Sequence, residues 1–167
     1  MKPERLQGDK DAAHWDAVDE ARELLHEEAF HEALVELRRV LEADATNPYA
    51  FHFLGVALYE VGELAPARDA YRAALRLAPE YLGARVALAH VLRMLGDARE
   101  AVKEGLAALS QAPGDSDALH AVGLAYLARD DHKAARRYLE AFLEARPEFE
   151  AAVEVRAILE RMNEEGN

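Results

Sequence analysis

Cysteine is missing from the chain altogether. That absence removes disulfide staples, thiolate nucleophiles and cysteine-ligated zinc together, while leaving the redox compartment open. Aliphatic hydroxyls are almost as scarce. Thr46, Ser110 and Ser116 are the full set, and all three fall near the ends of apolar-periodic stretches, where turn and capping roles explain them. Nucleophilic catalysis, which needs a hydroxyl, thiol or amine beside an activating base, has little to draw on. The glycines form no phosphate-binding loop of standard spacing. Residues 1–10 are polar and lack the apolar stretch of a secretory signal, and no run approaches the roughly 18 apolar residues of a membrane span. A cytoplasmic location is the expectation, although a processed export signal would leave no trace. Basic residues are also outnumbered: Lys and Arg total 20 against 32 Asp and Glu, a formal net charge of -12. Affinity for nucleic acid comes largely from neutralising phosphates, so no nucleic-acid partner is expected.

What remains is the composition of a folded helical protein. Hydrophobic residues make up 51% and charged residues 31%, with Ala, Leu, Glu and Arg prominent. Self-similarity organises them. Pro79, Pro113 and Pro147 recur every 34 residues, as do Ala33, Ala67, Ala101 and Ala135, and Leu41, Leu75, Leu109 and Leu143. Leu24, Leu58, Leu92 and Tyr126 keep the same interval, and Ala21, Gly55, Ala89 and Gly123 form a column of small residues. Within a unit the apolar residues are spaced as on a helix face: Phe51, Leu54 and Leu58, then Ala67, Ala70, Tyr71, Ala74 and Leu75. Gly62 and Gly96 separate the two stretches and suit the positive φ that follows a helix. Each unit therefore reads as helix, turn, helix. Asn47 before Pro48 reads as an N-cap with proline at the first helical position, and Gly114, Asp115 and Ser116 mark the start of the fourth unit.

Residues 48–81 carry the fullest pattern: Phe51, Leu54, Gly55, Leu58, Gly62, Ala67, Tyr71, Ala74 and Pro79. This pattern resembles the tetratricopeptide repeat family, with Phe in place of the usual Trp and Leu in place of Tyr. Four units fit, 14–47, 48–81, 82–115 and 116–149. The resemblance implies an all-α protein, a right-handed α-solenoid of four helix-turn-helix repeats. The first unit departs from the pattern, with Glu20 for Leu, Glu28 for the turn glycine and Ala45 for proline. In the third, Arg85 replaces the aromatic and Gly105 a large apolar residue. Two readings of Gly105 stand, close backbone packing and a small ligand notch. Beyond the repeats, Ala151, Val155, Ile158, Leu159 and Met162 give one apolar stripe, predicting a capping helix over 150–162 followed by a tail, 163–167. That helix either closes the solenoid or docks on a second copy to give a homodimer. Residues 1–13 lack periodicity and read as a polar tail.

Several features resemble chemistry without its geometry. His26 to His31 superficially matches a zinc-binding helix motif, but its histidines are five apart rather than four and fall at the inter-helix turn. Asp130 and Asp131, like Glu27 and Glu28, are sequence neighbours, and neighbours do not face each other on a helix. Arg68, Arg72 and Arg76 form a stripe at helical spacing that reads either as a solvated face or as an anion contact.

In the family, the first helix of each unit lines the concave surface. Carrying those columns over implies a groove of Trp15, Val18, Arg22 and Leu25, then Tyr49, His52, Val56 and Tyr59, then Val86, His90 and Arg93, then Asp117, His120, Leu124 and Leu127. Its apolar and aromatic character fits an interaction surface, unless the N-terminal segment covers part of it. His52, His90 and His120 all lie on this wall. Helices about 8 to 10 Å apart would hold His52 and His120, two units apart, too far from each other to share a metal, so neither metal nor cofactor is expected. The implied function is that of a non-catalytic adaptor or chaperone-like module whose partner is another protein, docked by an apolar-anchored peptide or amphipathic helix. The alternative is a self-assembling structural protein.

Overall fold

The computed structural model describes residues 10–165. Ten helices and no strand occur among them: α1 (Asp11–Asp16), α2 (Asp19–His26), α3 (Phe30–Ala43), α4 (Pro48–Glu60), α5 (Leu64–Leu77), α6 (Leu82–Met94), α7 (Ala98–Gln111), α8 (Ser116–Leu127), α9 (His132–Glu144) and α10 (Phe149–Glu165). Helices α2 to α9 pack as four hairpins, each on the next, and α10 packs on α9. The chain is a helical solenoid.

The boundaries follow from local chemistry. Asn47 accepts a hydrogen bond from the Ala50 amide with Pro48 at the first helical position, and Asp97, Asp115 and Asp131 cap α7, α8 and α9 in the same manner. Each hairpin turn has one geometry. In the second, the amide of Gly62 donates to the Tyr59 carbonyl and that of Glu63 to Leu58, with φ at Gly62 of 83°. Equivalent bond pairs close the turns at Glu28, Gly96 and Asp130.

Small residues set the helix spacing. A Cβ added at Gly55 would lie 2.5 Å from the Tyr71 ring, and one at Gly123 would lie 2.6 Å from Leu139. Gly105 resolves in favour of close packing, since a Cβ there would stand 2.6 Å from Val122 of α8. The off-pattern Arg85 acts as a strut. Its guanidinium donates to Glu104 at 2.7 Å and to the Pro79 carbonyl at 2.8 Å, and Gln111 donates to that same carbonyl.

Two expectations for the chain ends are corrected. Residues 11–13, read as tail, belong to α1, because Trp15 and Asp11 find partners on α4. Residues 1–9 lie outside the described residues. At the other end the helix extends past 150–162, from Phe149 to Glu165, so 163–165 are helical rather than tail. Ala152, Val155, Ile158, Leu159 and Met162 are its buried residues, and Val155, Ile158, Leu159 and Met162 join Leu119, Leu139 and Phe142 in one cluster.

Candidate partner-binding face

The first helices of successive hairpins touch directly: α2 meets α4, α4 meets α6, and α6 meets α8. Their shared face carries the positions expected to form a groove, and the structure divides those positions into two groups.

Trp15, Val18, Tyr49, Val86 and Leu124 are buried, Val18 and Tyr49 completely. For these five the expectation of a free wall is corrected. Direct contact between first helices takes up part of the column, and α1 covers its beginning. The first unit opens with two short helices, broken at Ala17 and Val18, and this break lays Trp15 edge-on against Tyr49 with ring centroids 4.9 Å apart. The Tyr49 hydroxyl donates to Asp11, His14 pairs with Asp44 at 3.0 Å, and Asn47 Nδ2 donates to the His14 carbonyl at 2.8 Å. Asp44, which also accepts from Thr46, has its carboxyl pulled down to about 2 by the Thr46 and His14 bonds.

Arg22, Leu25, His52, Val56, Tyr59, His90, Arg93, Asp117, His120 and Leu127 remain partly accessible. At one end, Arg22 places its guanidinium over the Trp15 ring, 4.0 Å from the centroid, and also bridges Asp19. Next, His52 packs against Tyr81 at 4.7 Å and against Phe53 and Tyr71 at slightly longer range. Its burial among rings disfavours the cation and lowers its pKa to about 4. Farther along, His90 and His120 lie 5.6 Å apart, with His120 stacked on Phe142. Burial again dominates, lowering His90 to about 4 with help from His120 and Arg93. His120 is lowered for the same first reason. Burial also raises the carboxyl of Asp117, assisted by Asp115. The face thus combines neutral imidazoles and aromatic rings with the charged side chains Arg22, Arg93 and Asp117.

The other candidates are dispersed. His26 ends α2 and His31 lies on α3, both exposed across the turn. Asp131 caps α9, and Arg68 of the α5 stripe pairs with Asp69 at 2.9 Å. Tyr81, the N-cap residue of α6, was not singled out from the sequence although it joins Tyr49 and His52 into one ring cluster. Its only signal was an aromatic two residues past the unit proline. No helix among the described residues is long and apolar enough to cross a membrane.

With this geometry established, two segments of the chain are recognised as tetratricopeptide repeats, and its fold is the helical solenoid of proteins built from them. Family profiles described as tetratricopeptide repeat match residues 48–81 and 116–155. Among solved structures, MamA 41-end from Desulfovibrio magneticus RS-1 is similar with a TM-score of 0.80 at 22% identity, covering 96% of this chain and 88% of that one. PilF of Pseudomonas aeruginosa aligns with a TM-score of 0.79 at 24% identity, over 94% of this chain and 72% of its own. The first tetratricopeptide domain of Spaghetti (RPAP3), bound to the HSP90 peptide SRMEEVD, gives 0.67 at 17% identity, over 75% of this chain and 98% of that one. At these identities the likeness is one of fold. No curated protein matches the sequence.

Proposed function

We propose that this protein is a non-catalytic adaptor or chaperone-like module that binds an apolar-anchored peptide or amphipathic helix along the face of α2, α4, α6 and α8. The observation that carries this reading is the set of partly accessible Leu25, Val56, Tyr59 and Leu127, interleaved with imidazoles held neutral by burial. A face built for water alone would carry charges at these positions. The solved complex of the RPAP3 repeat domain with a peptide supports, by analogy of fold, the coarser reading that the partner is a peptide or protein segment. The repeat limits 14–47, 48–81, 82–115 and 116–149 belong to the same reading. Tyr59 is the better anchor to test, because Tyr49 is core and its removal would perturb the fold. Tyr59→Ala should weaken binding of a partner recovered by affinity capture about fivefold to tenfold, measured by calorimetry on folded protein. Unchanged affinity would remove the face from consideration.

One observation favours self-assembly as a second reading. Phe149 is 78% exposed and Val153 46% exposed, one turn apart at the start of α10. Sedimentation equilibrium across a concentration range separates the two readings, since a persistent monomer excludes the second.

A further inference from the structure

The proposed binding face holds a cationic group with no ion-pair partner among the described residues. Five buried side-chain nitrogens among the described residues lack a hydrogen-bond partner, and four of them lie on this face: Arg22 Nε, His52 Nδ1, Arg93 Nε and His120 Nε2. The fifth is Arg85 Nε. Arg22 and Arg85 nonetheless reach carboxylates through their terminal nitrogens, Asp19 and Glu104 respectively. Arg93 reaches none among the described residues. It stands close enough to His90 and His120 for its charge to oppose their protonation.

An arginine that is partly shielded from water, always charged and lacking an acceptor is a costly arrangement for the free protein. In a chain with 12 more acidic than basic charges, carboxylates to neutralise it were abundant. Beside it stand instead the imidazoles of His90 and His120, while the carboxylates of Asp117 and Glu154 act on His120 without forming an ion pair to Arg93. Such a site is completed by an incoming anion that reaches Arg93 alongside the two histidine rings, which at 5.6 Å apart already touch each other. The guanidinium offers a planar fork, and His120 Nε2 can donate a further bond in one tautomer.

We infer that the partner segment carries an Asp or Glu side chain, flanked by apolar anchors, and that its carboxylate pairs with Arg93 beside His90 and His120. This inference rests on the proposed binding face and adds the chemistry of its occupant. A terminal carboxylate is the competing source of the same charge.

The test is selection of a random 16-residue peptide library, displayed with both ends joined to carrier protein, against the full-length chain and its Arg93→Gln, Arg93→Lys and Arg76→Gln variants. Circular dichroism checks that each is folded. For the unmodified chain, enriched peptides should share an acidic position at fixed register to apolar anchors. Changing that acid to its amide in a synthetic peptide with blocked termini should weaken binding about tenfold, the size of one charge-assisted hydrogen bond. Against Arg93→Gln the acidic position should disappear while the apolar anchors persist. Arg93→Lys should retain it in part. Arg76→Gln, which removes the same charge from the exposed side of α5, should leave it intact. Enrichment without an acidic position, or an acidic position that survives Arg93→Gln, overturns the inference while leaving the binding face standing. So does acidic enrichment seen only in a parallel library with free C-termini. No enrichment at all overturns both.

Discussion

Glu28, Gly62, Gly96 and Asp130 occupy one position in successive hairpins and share one backbone state, with φ of 60°, 83°, 85° and 60°. Glycine adopts that state freely, whereas a residue with a Cβ is strained there by about 1 kcal/mol or more. At Gly62 and Gly96 an added Cβ would meet nothing within 4 Å, so the penalty is conformational rather than steric. Glu28→Gly and Asp130→Gly should therefore each stabilise the fold by about 1 kcal/mol, and Gly96→Ala should cost a similar amount. Urea unfolding monitored by circular dichroism reads both signs. Gly55 and Gly123 answer to the opposite logic, since their substitution would drive a methyl group into Tyr71 or Leu139.

Among the elements, α1 departs furthest from the repeat pattern. It is six residues long, too short to persist alone, and is held by the Trp15 ring, the Tyr49–Asp11 bond and the His14–Asp44 pair. Trp15→Ala should cost about 3 kcal/mol, because the indole fills the space over Tyr49. Tyr49→Phe should cost about 1 kcal/mol by removing the hydroxyl from Asp11. In a solenoid each hairpin mainly touches its neighbours, so the loss should be local. Amide hydrogen exchange on Trp15→Ala should show α1 and the start of α4 opening while α8 and α9 keep their protection. Uniform loss of protection would contradict this picture of separable elements.

For the molecule as a whole, the face of neutral imidazoles predicts a dependence of stability on pH. His52 and His90 are lowered to about 4, and His120 is lowered as well. The unfolded chain binds protons at these rings near pH 6.5, before the folded chain does. Their contribution is therefore complete above about pH 6.5 and is lost as pH falls toward 4. Asp117, raised by burial, works in the opposite direction, and the low value of Asp44 adds its own loss only at more acid pH. Stability should fall by on the order of 2 kcal/mol between pH 7 and pH 4.5, and His52→Phe should flatten part of that slope. Thermal melts across this range provide the check.

The repeat period, the helix-turn-helix unit, the proline and asparagine caps and the small-residue columns were all legible in the sequence. Each is dictated by local backbone chemistry or by a residue's own size, and periodicity carries that information directly. The candidate face was legible only as a set of columns. Which members stay open and which become core depends on how closely the first helices approach and on where residues 11–16 dock, and neither is a property of the repeat unit. Trp15 and Tyr49 illustrate the difference. Both sit at the same repeat position, and by sequence alone both faced a partner. Only the helix break at Ala17 and Val18 folds one onto the other and withdraws both from solvent. Arg93 is the converse case: the sequence places it on the same wall, but only the tertiary packing leaves it without an ion-pair partner among the described residues. Secondary structure and repeat number were set by local preference, whereas exposure and pairing are relations between distant residues that exist only once the helices are stacked.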